Sequence, residues 1–318
     1  MPLGWASWAL GAAFAGGTAW TVPSAVADAV RAAAERPVGE RIDVATQSFL
    51  GLPYQNDAVG EGRAPDLDPP ARYDRFDCLT FVEEALAMVL AADPVDAPEI
   101  RDQLRYHGPP AYAARNHFME AQWIPGAIEA GLLVDVTDRV GHARTLTKLV
   151  TPEVWQNWRG RWRFASLAAA DLPLGSWTIR YLDLAEASAA APRIPAGSVV
   201  VTLRAERAWS PVVTTHVSLV VPPAEPGGEL RMRHATRMGK QVVRDDRLGW
   251  YMEHLRDYVN WPALGVAVLA PVEQGPRLAA LATDPWSTSP LPDAGGELPR
   301  FEARPIPPYA APEDPRSD

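Results

Sequence analysis

Cys78 stands directly after Asp77 at the head of the run Cys78 to Ala92, where Leu79, Val82, Leu86 and Val89 recur at steps of three and four. That spacing predicts an amphipathic helix, capped by Asp77 and ended by Asp93-Pro94. A thiol in the first turn of a helix meets backbone N–H groups without partners and the positive end of the macrodipole, and both favour the thiolate. This is the chemistry of a nucleophile. The bland alternative is a buried structural cysteine, and the helix start alone does not decide between them.

A thiol nucleophile needs a base, and His216 lies in the otherwise apolar run Thr215-His216-Val217-Ser218-Leu219. It is 138 residues beyond Cys78 (216 minus 78), so the two can meet only through folding. His234 follows in Arg233-His234-Ala235. In a hairpin the two histidines become neighbours, with His234 orienting His216 as the third member of a triad does. Either histidine could equally be an ordinary core or surface residue. A metal site of two histidines and one cysteine is conceivable, but no Cys-x-x-Cys or His-x-x-x-His spacing supports it, and neither metal nor cofactor is expected.

The elements that must carry these residues fall into two groups. Helical patterns come first, at Ala29 to Glu35, Arg41 to Leu50 and the Cys78 helix, with further helices and loops across residues 99 to 165. Thr151-Pro152-Glu153 suits a helix start. Trp155, Trp158 and Trp162 share one face of that helix, as a sugar-stacking platform or, more plainly, as core. Between Gln55 and Tyr73 runs a polar loop rich in Gly, Pro and Asp, of the kind that covers active sites. After Pro195-Ala196-Gly197 the pattern changes: Ser198 to Leu203, Val212 to Val221, Leu230 to Ala235 and Leu264 to Leu269 read as buried strands. Helices followed by strands indicate an α+β fold.

The 318 residues allow one main domain, set at 28–275 with a mainly helical insert at about 95–190. Residues 276 to 318 hold ten of the 32 prolines and read as a disordered tail. The apolar stretch Leu10 to Val22 followed by Ala25-Val26-Ala27 fits a signal peptide over residues 1–27, and with it a periplasmic or otherwise exported protein. Without Lys or Arg ahead of that stretch, a helical N-terminus with no targeting role fits as well. No other stretch approaches the ~18 apolar residues of a membrane span, so no stable membrane insertion is expected. A net charge of -9 argues against nucleic acid as a partner. A single cysteine leaves no intramolecular disulfide.

Taken in order, Gly51-Leu52-Pro53-Tyr54, Arg75-Phe76-Asp77-Cys78-Leu79-Thr80-Phe81-Val82-Glu83, Leu104-Arg105-Tyr106-His107-Gly108, Arg115-Asn116-His117-Phe118, His216-Val217 and His234-Ala235 resemble the DUF1460 branch of the NlpC/P60 cysteine peptidases. The resemblance spans about residues 46 to 271. It departs at Gly197-Ser198, where relatives often have Gly-Asp, and in the tail.

The resemblance implies a papain-like fold, with the nucleophile at a helix N-terminus packed on an antiparallel sheet. It implies N-acetylmuramoyl-L-alanine amidase activity on peptidoglycan fragments, with Cys78 as nucleophile, His216 as base and His234 orienting it. Tyr54 and the Cys78 backbone N–H would hold the oxyanion. Arg105, Arg115, His117 and Asp77 form the expected substrate-facing set, the arginines as forks for a peptide carboxylate. For Arg105 and Arg115 a surface ion pair is the plain alternative, and His117 could instead tie the insert down. Three other functions stay open on the sequence: an endopeptidase cutting the D-Glu to diaminopimelate bond, a non-catalytic wall-binding module in which Cys78 is inert, and an acyltransferase on the same scaffold that would require an acyl donor.

Overall fold

The computed structural model describes residues 20–273; the leading part of the expected signal peptide and the expected disordered tail lie outside them. In chain order the elements are α1 (Ser24–Ala32), α2 (Val38–Thr46), α3 (Cys78–Leu90), α4 (Ala97–Arg105), α5 (Ile124–Glu129), β1 (Leu133–Asp135), α6 (Thr137–Val140), β2 (Arg144–Val150), α7 (Pro152–Asn157), β3 (Gly175–Asp183), α8 (Leu184–Ala190), β4 (Val199–Arg204), β5 (Thr214–Val221), β6 (Arg231–Ala235), β7 (Val243–Arg247), α9 (Leu248–His254) and β8 (Ala263–Pro271).

One sheet unites the strands in the order β2-β3-β8-β4-β5-β6-β7, with β1 also paired to β8. Every pairing is antiparallel. Helices cover both faces. Val199, Val201, Val217 and Leu219 point into a core shared with α1 to α5. Val200, Val220, Met232 and Val268 point the other way, into a second core completed by α6, α8 and α9. A strand buried on both faces reads as a continuous apolar run rather than an alternating one, which is why Val199-Val200-Val201 lacks a polar side.

The insert differs from the expectation of a mainly helical segment. Residues 95–190 contribute β1, β2 and β3 as well as short helices. β1 is only three residues long, β2 is largely exposed and the first part of β3 alternates between exposed and buried positions, so none presents an apolar run that stands out against the helical stretches around it. The tryptophan stripe is also broken: α7 ends at Asn157, and Trp155 packs with Trp158, Phe118 and Phe164 while Trp162 is 70% exposed. The expected start at Thr151 is present, its hydroxyl accepting the Val154 N–H at 3.3 Å.

Ala25-Val26-Ala27, the expected small-x-small cleavage site, lies in the first turns of α1, where Val26 and Ala27 are buried. Among the described residues no helix is long and apolar enough to cross a membrane.

Candidate active site

The start of α3 is built by a reciprocal cap. Asp77 Oδ1 accepts the Thr80 N–H at 2.8 Å, and Thr80 Oγ1 accepts the Asp77 N–H at 3.0 Å. This pair of bonds fixes where the helix begins and leaves Cys78 as its first residue. The Asp77 carboxylate also accepts the Asp57 N–H at 3.2 Å, which ties the covering loop to the helix start. Asp77 is therefore a structural cap in this arrangement, with its oxygens already engaged.

Cys78 as a residue is half-buried. Burial of its surroundings and the negative charge of Asp77 push the thiol up to about 12, against an easing by the backbone amides of Val217, Cys78 and Leu79. The helix amides thus act in the direction the sequence suggests, but they do not prevail. Cys78 rests as a neutral thiol, and an anionic sulfur requires a base that takes its proton.

That base position is prepared by the sheet. Thr202 pairs with His216 but Leu203 pairs with Thr214, so Thr215 is an extra residue on β5 immediately before His216. A bulge of this kind re-aims the side chain beside it, and Arg204 Nε pins it by donating to Thr215 Oγ1 at 2.9 Å. Val217, the next residue, supplies the one amide from the sheet among the three that meet the thiol. The start of α3 thus meets β5 at the chain neighbour of His216, although 138 positions separate Cys78 from His216 in the sequence.

The backbones of β5 and β6 pair over Leu219 to Val221 against Arg231 to Arg233. Beyond that stretch side chains join them: His216 Nε2 and His234 Nδ1 are 2.7 Å apart. His234 Nε2 lies 3.1 Å from Asp246 Oδ2 on β7, and Arg244 donates to the same oxygen at 2.8 Å. Burial works to raise Asp246, but the bonds from His234 and Arg244 outweigh it and hold the carboxylate below its ordinary range. An ionised carboxylate only accepts. For two neutral imidazoles the protons follow in order: His234 donates from Nε2 to Asp246, His216 donates from Nε2 to His234 Nδ1, and His216 Nδ1 is left bare. Burial, then the charge of His234 and Arg204, keeps His216 well below its ordinary value, so its imidazole is free to accept a proton. Tyr251 of α9 backs both rings, with centroids 6.3 Å and 5.8 Å away, its hydroxyl bonded to Thr202 Oγ1 at 3.0 Å.

Tyr54 lies close enough to the thiol to feel its charge. Its strip is held edge to edge: the Tyr54 N–H donates to Gln241 O at 2.7 Å and the Gln55 N–H to Phe76 O at 2.9 Å. Burial first, then the charges of Cys78 and Asp77, raise its phenol, with Arg237 opposing. The hydroxyl therefore keeps its proton and can donate. Tyr54 also lines, with Asn56, Arg163, Arg237 and Gln241, a cavity of about 370 Å³.

The remaining substrate-facing expectations are corrected by what those side chains touch. Arg105 is buried and does make a fork, but onto the protein's own carboxylates: its Nη2 is 2.7 Å from Glu83 and 3.5 Å from Glu84, and its Nη1 donates to Pro70 O at 2.6 Å. Trp123 Nε1 donates to Glu83 at 3.0 Å and Tyr73 to Glu84 at 2.7 Å, completing a buried polar layer behind α3. Arg115 binds Glu61 at 2.7 Å and Asp66 at 2.8 Å, fastening the loop over residues 55–73. His117 bonds to Tyr112 O at 2.8 Å and packs against Tyr112 and Phe164. Burial holds it down to about 4, so it ties the insert as a neutral ring.

Sequence reasoning missed Asp246, Arg244 and the Arg163–Arg237 pair. The strand Val243–Arg247 is nearly all charged and carries no apolar alternation, so the one usable signal was the register of its hairpin with His234. Among the described residues no group of three or more His, Cys, Asp or Glu side chains is arranged to hold a metal ion.

A helix start bearing a thiol, set against an antiparallel sheet bearing linked imidazoles, defines an α+β protein of a shape seen before. A Legionella pneumophila protein of the DUF1460 family shares it, with a TM-score of 0.65, 21% identity, and coverage of 78% of this chain and 93% of the other. An N-acetylmuramoyl-L-alanine amidase from Bacteroides uniformis shares it with a TM-score of 0.58 at 20% identity, covering 74% of this chain and 98% of that one. No curated protein matches the chain. The chain belongs to the N-acetylmuramoyl-L-alanine amidase-like family, AmiA-like, whose match runs over residues 44–257.

Proposed function

We propose that the chain hydrolyses the amide between the lactyl group of N-acetylmuramic acid and L-Ala in peptidoglycan fragments, as a cysteine enzyme on a papain-like NlpC/P60 scaffold. The observation that carries this reading is the hydrogen-bonded series Asp246–His234–His216, whose last member is the chain neighbour of Val217, a residue whose amide meets the Cys78 thiol. The amidase named among its structural neighbours supports the choice of bond.

In this mechanism His216 Nδ1 takes the thiol proton as the sulfur adds to the lactyl carbonyl carbon. The carbonyl oxygen becomes an oxyanion, met by the Tyr54 hydroxyl and by the Cys78 N–H, which has no partner within its own helix. The carbon–nitrogen bond then breaks, and the proton on His216 goes to the departing L-Ala amine. Water next gives a proton to His216 and its hydroxyl to the thioester carbon. Collapse releases the lactyl carboxylate and returns the proton to sulfur.

Digestion of defined muropeptides, with the products weighed by mass spectrometry, tests the reading. Freed sugar plus intact peptide is expected from the wild type, and no turnover from Cys78→Ala. A dipeptide left on the sugar would assign the D-Glu to diaminopimelate bond instead, and binding without turnover would assign a wall-binding module. Export belongs to the same reading. Sequencing the N-terminus of secreted material tests for a cut after Ala27, which would strip Val26 and Ala27 from the core.

A further inference from the structure

The cavity beside Tyr54 contains two guanidiniums and no acid: its lining is Tyr54, Asn56, Arg163, Arg237 and Gln241. In a chain of net charge -9 most arginines near the site are neutralised by the protein, as Arg105, Arg115 and Arg244 are. Arg163 and Arg237 are different. Neither has a carboxylate partner among the described residues, and Arg163 has only the adjacent Trp162 ring, 5.5 Å from its guanidinium carbon.

Both arginines sit on anchored backbone. The carbonyl of Arg163 accepts the Tyr112 hydroxyl at 2.9 Å, and Phe164 next to it stacks on Trp158 with centroids 5.6 Å apart. Arg237 lies in the turn between β6 and β7, closed by the Thr236 N–H to Val242 O at 3.1 Å and the Met238 N–H to Thr236 Oγ1 at 3.1 Å. Two exposed arginines flanked by two amide side chains offer the donors that a carboxylate accepts.

The chemistry of the substrate says which carboxylate. At the bond assigned above, the lactyl carboxyl is consumed in the amide and the sugar is neutral, so the fixed negative charge lies on the peptide side. The first such charge is the α-carboxylate of D-Glu, which follows L-Ala and is joined onward through its γ-carboxyl. At ~3.8 Å per residue, that group falls within two residue lengths of the scissile carbonyl, and Tyr54 links the two regions because it lines the cavity and feels the charge of the thiol.

We infer that Arg163 and Arg237, with Asn56 and Gln241, form a carboxylate subsite that reads the free α-carboxylate of D-Glu in the departing peptide. The subsite rests on the amidase reading for its orientation. It makes the protein selective for stem peptides with a free D-Glu carboxylate over those in which that group is amidated.

Two muramyl tripeptides, MurNAc-L-Ala-D-Glu-diaminopimelate and its D-Glu α-amide, separate the outcomes. The wild type is expected to show a KM lower by about 10-fold to 100-fold for the free acid, the range of a charge-assisted hydrogen bond. Arg163→Ala and Arg237→Ala should each erase most of that preference at an unchanged thermal midpoint. Equal KM values for the two substrates in the wild type, or a preference that survives the double variant, would overturn the subsite. Product masses report the scissile bond independently. Calorimetric binding of L-Ala-D-Glu and L-Ala-D-Glu α-amide to Cys78→Ala protein reads the subsite without any turnover: a free-acid preference lost in Cys78→Ala/Arg237→Ala supports it, and equal binding of the two dipeptides refutes it.

Discussion

His216 and His234 share a hydrogen bond of 2.7 Å, Nε2 to Nδ1, and its proton comes from His216 because His234 donates its own to Asp246 at 3.1 Å. The carboxylate of Asp246 thus decides which nitrogen of His216 is bare, two side chains away. Asp246→Asn should reverse the order. An amide can donate as well as accept, and a proton driven onto His234 Nδ1 would push the proton of His216 onto Nδ1, where the base is needed. Loss of the equivalent carboxylate in a serine triad costs about 10⁴ in kcat, and a fall of about 10²-fold to 10⁴-fold is expected here at an unchanged thermal midpoint. Turnover within a few-fold of wild type would show that the relay does not set the tautomer.

Tyr54→Phe removes one hydroxyl from a ring whose backbone stays clamped to Gln241 and Phe76. If that hydroxyl holds the developing oxyanion, kcat should fall by about 10²-fold, the scale of one preorganised donor, with KM little changed. A rise in KM at constant kcat would instead make Tyr54 a wall of the cavity it lines.

The sequence displays these parts unevenly. His216 is visible as a reactive residue inside an apolar run, Cys78 as the thiol that opens an amphipathic helix, and His234 as the histidine on the next strand, while the Asp77 cap is visible because capping is local. Asp246 is hidden because its strand, Val243–Arg247, is charged almost throughout, and a polar strand is recognised only by the neighbour it pairs with. The bulge at Thr215 leaves no trace in composition, since an extra residue in a β-strand is defined by register against β4. Arg105 and Arg163 show the same limit from opposite sides. Both are plain arginines in sequence; whether one meets Glu83 inside the protein or faces a cavity depends on packing between segments distant along the chain.

Arg105 gives a prediction about stability. It is 3% exposed and Glu83 is 2%, so Arg105→Ala leaves the buried Glu83 without its cation, while Glu84 keeps Arg101 at 3.9 Å. Breaking a buried pair from one side costs about 3–5 kcal/mol, and urea denaturation should show a loss of that order. A substrate-binding role would produce the opposite pattern, a raised KM in a protein of normal stability.

The pH dependence follows from the groups around the thiol. Cys78 is raised from 9.0 to about 12 by burial and by Asp77, so its thiol form stabilises the fold below about pH 9 and that contribution is lost as pH climbs toward 12. His216 is depressed well below 6.5 by burial and by its cationic neighbours, and His117 is depressed to about 4 by burial. Their neutrality stabilises the fold above pH 6.5, and the benefit declines as pH falls from there, toward 4 for His117, by about 1.4 kcal/mol for each step of one in pH. For catalysis the sign is the same: His216 accepts a proton only while neutral, so the acid limb of kcat/KM should lie below pH 6.5. The thiol should react slowly with iodoacetamide at pH 7 and progressively faster up to about pH 10, because the anion forms there by titration rather than by standing ion-pair formation. A rate of alkylation that levels off below pH 7 would mean a resting thiolate–imidazolium pair, and the neutral pair deduced from the buried site would be wrong.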